Sequence, residues 1–214
     1  MKQSTSLLSF LKPFQIKDLD SKITTLLSLK SHFENWNQKH NLFSKNDLER
    51  FEERHLLDSL TPLHFINHKM EKGLLVDIGS GTGFPSIPLS IILDNFQITG
   101  IEPREKRVFL LNQFRRTLGL KNIKFIAQSA EQHKNQNHYH YATARAVGSL
   151  EEDWRRAQPL LQKNGQFITF KTRKETLAEE VPTQHFEYQF PSFPDPYYLV
   201  SVKKSEHGEN TIGM

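Results

Sequence analysis

Residues 74–83 read LLVDIGSGTG. An apolar run reaches Asp77 and Ile78, and glycines follow at 79, 81 and 83. Glycine turns the backbone sharply and lets a ligand come close, and a helix opening behind such a loop offers free N–H groups. A dinucleotide-binding loop would be spaced G-x-G-x-x-G, with its last glycine at position 84. Position 84 is Phe, so the spacing here is G-x-G-x-G, with an acid two residues before the first glycine. The pattern is either a ligand-binding strand-to-helix turn or an ordinary tight one, and its surroundings decide.

Outward from this loop, short apolar runs alternate with charged helical patterns. GLLVDIG is followed by a helix from about Pro85, FQITGIE by a helix from Arg104 to Leu118, and then comes NIKFIAQ. YHYATAR, a helix from Glu151 to Gln162, and QFITFK complete the series. Gly119 and Gly165 stand where helix C-termini favour a residue tolerant of left-handed geometry. Strands alternating with helices imply βαβ units and a mainly parallel sheet. HFEYQF and YYLVSVKK, joined by PSFPDP with no helix between them, suit an antiparallel pair at a sheet edge. Upstream, residues 18–65 read as helical, with Ile23, Leu26, Leu27, Phe33 and Trp36 in register. Asn46 and Glu49 suit a capping box for a second helix ending near Pro62. The expected organisation is a helical extension over 1–70, a ligand-binding domain over 71–204 and a disordered polar tail over 205–214.

Composition removes whole classes of answer. There is no cysteine among 214 residues, so no thiol nucleophile, disulfide or Cys-ligated metal is possible. The stretch Phe84–Leu93 contains Pro85, Ser86, Pro88 and Ser90 and falls short of the ~20 apolar residues of a membrane helix. With no apolar leader segment in the first residues, a soluble cytoplasmic protein is expected. None of the 10 histidines has H-E-x-x-H-type spacing, and no metal is expected. The net charge of +4 is mild, but the basic residues gather at Arg104–Arg107, Arg115–Lys124 and Lys171–Lys174, as an anionic partner would need.

The acid followed by G-x-G-x-G resembles motif I of the class I methyltransferases, which bind S-adenosylmethionine (SAM) on a Rossmann-like α/β fold. SAM has no pyrophosphate, so the loop would wrap an amino-acid moiety whose ammonium welcomes Asp77. A second acid should meet the ribose hydroxyls about 20 residues on, and Glu102 lies 19 positions after Gly83 (102 − 83). Gln128-Ser129-Ala130-Glu131 follows the third strand and could hold adenine. Cytosine-C5 enzymes need a Cys nucleophile, which is absent. Exocyclic-amine enzymes carry [DN]-P-P-[YF] after strand four, where this chain has Ala144-Arg145-Ala146-Val147. Asp195-Pro196-Tyr197-Tyr198 imitates that motif but reads as a turn opening the last strand.

The sequence also resembles the RsmG (GidB) family of 16S ribosomal RNA guanine-N7 methyltransferases over about residues 33–204. The resemblance rests on NWNQKHNLFS (35–44), RHLLDSL (54–60), DIGSGTGFPSIPLSI (77–91), EPREKRVFLLNQ (102–113), QSAEQ (128–132), ATARAVGSL (142–150) and FKTRKE (170–175). It implies a mainly parallel seven-stranded sheet with an antiparallel edge. It also implies cofactor contacts at Gly79, Phe84, Ala130, Glu131 and Arg145, beside Asp77, Gly81 and Gly83 from the loop itself and Glu102 from the end of the next strand. Arg145 is expected between SAM and the target base as the catalytic residue. Arg104, Lys106, Arg107, Lys171 and Arg173 are expected on RNA phosphates. The implied partner is 16S RNA or the small-subunit particle, and a monomer is expected. The chain departs from the family at Ser86 and Thr172, where glycine is usual, and at ProTyrTyr 196–198, where an acid–Arg pair is usual. Arg54 and Asp58 could be a helix-surface pair or flank the site mouth, and Trp36 could be core or a base platform. A methyltransferase of small molecules or proteins, and an RNA-binding protein without catalysis, are the competing readings.

Overall fold

The computed structural model describes residues 5–40, 44, 48–145, 148–178, 181–191 and 193–205, with the backbone alone at 39 and 40. Strands β1 (Gly73–Ile78), β2 (Phe96–Glu102), β3 (Ile123–Ala127), β4 (Tyr139–Arg145), β5 (Leu161–Lys171), β6 (Thr183–Tyr188) and β7 (Tyr197–Lys203) form one sheet. Its order is β3-β2-β1-β4-β5-β7-β6. β1 to β5 are mutually parallel, and β7 runs antiparallel to both β5 and β6. The last strand therefore sits inside the sheet and β6 forms the edge. Strand order reverses at the β1/β4 junction, and ligands of open α/β sheets bind at the carboxyl ends beside such a switch.

Helices α1 (Thr5–Leu11), α2 (Leu19–His40), α3 (Ser86–Ile92) and α4 (Glu105–Thr117) cover one face, and α5 (Leu150–Ala157) packs on the other. The pleat divides the core between these layers: Leu75, Ile98, Ile168 and Leu199 bury against the first, and Val76, Ile101, Phe167 and Val200 against the second. Aromatic rings join the helical extension to the sheet domain. Phe33 of α2 has Phe114 at 4.2 Å, Phe84 at 5.1 Å and Phe51 at 5.8 Å, between ring centroids. Among the described residues no helix is long and apolar enough to cross a membrane.

Several expectations change. Gly165 follows no helix. It lies within β5, where a Cβ would come 2.9 Å from Gln162 O and 3.0 Å from Tyr139 O, and Asn164 before it takes the left-handed φ of 61°. α5 ends at Ala157 instead of Gln162, because Pro159 has no N–H to continue it and Gln158–Leu160 tightens into a 3₁₀ turn. Its start is a complete Ser149/Glu152 capping box. The second helix of the extension is a π-helical stretch, Glu52–Leu57, running through Asp58–Leu60 into a 3₁₀ turn that contains Pro62. Asn46, its expected cap, and most of the tail, 206–214, lie outside the described residues.

Candidate active site

The loop after β1 is held to the end of β2 from beneath and from the side. The Gly79 and Ser80 N–H groups donate to Ile101 O at 2.8 and 3.0 Å, and Gly83 N–H donates to Ser80 O at 2.7 Å. Gly79, Gly81 and Gly83 have φ of 71°, 55° and 94°, the left-handed region that glycine enters freely. A Cβ at Gly83 would also lie 2.4 Å from Ile87 Cδ1 and 3.0 Å from Leu111 Cδ2, so these buried side chains would have to shift to admit one. Above Gly81 the space is open, with only Gly79 O at 3.7 Å from a Cβ. Phe84 buries its ring against Phe33, Phe51 and His55, leaving its backbone to the loop.

Glu102 fastens this loop. Its Oε2 accepts Gly81 N–H and its Oε1 accepts Arg104 N–H, both at 3.1 Å, while the Arg107 guanidinium stands 3.9 Å away. A carboxylate oxygen accepts two hydrogen bonds, so each retains a lone pair for a diol. Glu102→Ala removes the fastener together with a charged acceptor, and the affinity for SAM should fall by about 1–3 kcal/mol in titration calorimetry. Unchanged affinity would show that the carboxylate only shapes the loop.

Asp77, at the end of β1, is 1% exposed. Thr143 of β4 donates to its Oδ1 at 2.8 Å, and Ser86 of α3 donates to its Oδ2. It therefore lies under the loop as a brace, held by hydroxyls, one of them from the Ser86 departure noted above. Burial pushes its carboxyl up to about 6, against the pull of these hydroxyls and the Arg145 guanidinium.

After β3, Ala130 is buried and its carbonyl accepts His133 N–H at 3.1 Å. His133 also pairs with the Tyr139 hydroxyl at 2.9 Å, tying this loop to β4. Glu131 projects outward, 3.3 Å from the Arg156 guanidinium, and hydrogen bonds and that cation hold its carboxyl below the usual range.

Arg145 ends β4, 3.2 Å from Asp58 Oδ2 and 3.3 Å from Ser59 Oγ. The Tyr188 hydroxyl of β6 donates to Asp58 Oδ1 at 2.5 Å. Burial raises the Asp58 carboxyl, opposed first by Arg145, then Tyr188, then Arg54. Asp58 is thus a buried anchor for Arg145 and is no member of a surface pair. Tyr188 was not singled out by the sequence, since it stands in an ordinary strand pattern.

The expected RNA contacts divide. Arg104, Lys106 and Arg173 are exposed, Arg107 is half-exposed, and Lys174 lies 5.6 Å over the Tyr198 ring. The expectation fails for Lys171: its side chain is buried, its ammonium is 2.9 Å from Asp153 Oδ2, and it donates to Gly148 O at 2.6 Å. The buried Asp153 carboxylate draws this cation inward and removes it from the surface. Trp36 is half-buried, edge-on to Phe114 at 5.3 Å, and faces a small pocket beside Gly81 and Arg107, a placement that fits either reading.

This fold, with a carboxylate-fastened glycine loop at the sheet's switch point, is that of a Rossmann-like SAM-dependent methyltransferase. A SAM-dependent O-methyltransferase of Thermotoga maritima superposes with a TM-score of 0.54 at 14% identity, over 74% of this chain and 70% of that one. Precorrin-6y C5,15-methyltransferase of Geobacter metallireducens gives 0.51 at 14% identity, over 76% and 90%. Residues 22–207 match the family described as rRNA small subunit methyltransferase G. Ribosomal RNA small subunit methyltransferase G of Alkaliphilus metalliredigens is 33% identical over 168 residues, 76% of this chain and 68% of that protein. That of Staphylococcus haemolyticus is 35% identical over 142 residues, 65% of this chain and 59% of that protein. The chain belongs to the rRNA small subunit methyltransferase G family.

Proposed function

We propose that the protein transfers a methyl group from SAM to N7 of one guanosine in the 16S ribosomal RNA of the small ribosomal subunit, acting as a cytoplasmic monomer. What carries this reading is the succession of groups along one rim of the sheet: the glycine loop after β1, Glu102 after β2, Ala130 and Glu131 after β3, and Arg145 closing β4. The relatives' name supplies the ribosomal RNA. The open space above Gly81 and the spare lone pairs of Glu102 suit an aminoacyl nucleoside. Gly79, Gly81, Gly83 and the Phe84 backbone would cradle the methionine part, Glu102 the ribose, and Ala130 with Glu131 the adenine. Asp77 would act from beneath, by its charge and by bracing the loop.

SAM, when bound, supplies a methyl group on a positively charged sulfur. Guanine N7 carries an in-plane lone pair, so no proton has to be removed before it accepts that group. The protein's part is then to hold the acceptor in line and exclude misaligned approaches, a proximity and orientation effect. Arg145, fixed by Asp58 and Ser59, is the group that would set this alignment. Arg104, Lys106, Arg107 and Arg173 would position the RNA through its phosphates without reading sequence.

The test is methylation of small-subunit RNA from cells lacking the protein, offered both naked and as assembled particles. The expected product is 7-methylguanosine at one position, seen as a single strand break after borohydride reduction and aniline. Methyl groups on an exocyclic amine or a ribose hydroxyl would overturn the reading.

A further inference from the structure

Beside Arg145 the carboxyl rim opens into a cleft of about 400 Å³, within the range of roughly 300–1,000 Å³ typical of small-ligand pockets. It lies between the ends of β4 and β5, the extension and the start of β7. Its lining combines three kinds of chemistry. Phe170, Phe193 and Tyr197 supply aromatic surface, Arg54 and Arg145 are guanidiniums, and Glu175 is a carboxylate. Phe193 and Tyr197 pack at 5.0 Å between centroids, so the half-exposed Tyr197 ring is backed by a buried one. Glu175 is fixed in place: its Oε2 accepts Leu150 N–H at 2.9 Å with the Lys171 ammonium 4.0 Å away, and its Oε1 is 3.5 Å from Arg173 Nε. Each oxygen still has room for a further donor.

Enzymes that act on a base inside structured RNA turn it out of its stack, hold it on aromatic side chains and read its edges by hydrogen bonds. Guanine alone among the four bases offers a ring N–H and an amino group side by side, which one carboxylate accepts with both oxygens. Its O6 is an acceptor that suits a guanidinium, while N7 beside it must stay free to receive the methyl group. The same lining holds both kinds of partner, the Glu175 carboxylate for the first edge and the Arg54 and Arg145 guanidiniums for O6, with Arg145 itself anchored on Asp58. The geometry points to this cleft as the seat of the turned-out target guanine, with Tyr197 as its stacking platform and Glu175 as the reader of its N1–H and 2-amino group. This rests on the proposed function and adds to it how guanine is told from the other bases.

The test uses the full-length protein and a small-subunit RNA carrying either guanosine or inosine at the methylated position. Inosine keeps N7 and O6 and lacks only the 2-amino group. Wild-type protein should methylate the inosine RNA about 10-fold more slowly, and Glu175→Gln should slow the guanosine RNA while losing most of that discrimination. Tyr197→Leu should lower kcat/KM on guanosine RNA by about 10-fold or more, Tyr197→Phe should retain it, and SAM affinity should stay within twofold in all variants. Equal discrimination against inosine in wild type and Glu175→Gln would overturn the reader, and a fully active Tyr197→Leu would overturn the platform. A wild-type protein that binds SAM but methylates neither RNA would instead overturn the proposed function, and the cleft's occupant with it.

Discussion

Arg145→Ala is expected to slow single-turnover methyl transfer by at least about 10²-fold if, as proposed above, its guanidinium sets the alignment of the acceptor. The same change strips the buried Asp58 of its cation. With the guanidinium 3.2 Å from Asp58 Oδ2 removed, only the Tyr188 hydroxyl and the more distant Arg54 charge offset the buried carboxylate, and the fold should lose about 3–5 kcal/mol in denaturant unfolding. The two losses can be separated. Asp58→Asn added to Arg145→Ala removes the stranded charge and should recover most of the stability while restoring none of the turnover. Arg145→Lys keeps the charge but not the planar fork, and should likewise fold well and turn over poorly. Wild-type rates in Arg145→Ala, measured at saturating SAM and RNA, would remove this residue from the reaction.

Asp77→Asn should make the protein more stable at neutral pH. A carboxyl raised from 3.8 to about 6 on folding favours the folded state fully while it is protonated in both states. That contribution is lost as pH rises from about 3.8 through about 6, where the folded form must ionise a buried group. The loss amounts to about 3 kcal/mol at 1.36 kcal/mol per unit. Asn mimics the protonated acid, because the Ser86 or Thr143 hydroxyl can turn to accept from its amide. The difference in unfolding free energy between the variant and wild type should therefore grow between pH 4 and 7 in the variant's favour and level off above. Parallel curves across that range would show that Asp77 titrates normally. Such a stabilising change should weaken SAM binding, since the negative charge beneath the loop offsets the cofactor's ammonium and sulfonium.

The strand ends and the glycine loop of the carboxyl rim were legible because each piece is local. Strands FQITGIE and YHYATAR are bounded by turn residues, and the structure places them at Phe96–Glu102 and Tyr139–Arg145 as read. Glu102 follows from counting along the chain. β5 begins five residues before QFITFK, where the sequence reads as the end of a helix and its glycine cap, because Leu161–Gly165 has no apolar alternation of its own and only pairing with β4 makes it strand. The insertion of β7 between β5 and β6 could not be read, since an edge hairpin and an inserted strand have the same local pattern. Lys171 shows the limit for charge: a cation beside Arg173 and Lys174 reads as surface, and its burial depends on Asp153, 18 residues earlier. The Asp58–Tyr188 bond spans 130 residues and has no signature in either segment.

The place of β7 also sets an order of assembly. Ribosomes make the chain from its N-terminus, and β6 pairs with β7 alone among the described strands. Until Tyr197–Lys203 has been synthesised, β6 has nowhere to dock, and Tyr188 on it cannot reach Asp58. A nascent chain can already hold its glycine loop and Glu102 while the anchor behind Arg145 is still incomplete. The anchor behind Arg145 is thus completed only after Tyr197–Lys203 is translated, so fragments released before that point would lack the Tyr188–Asp58 bond whatever else they had folded.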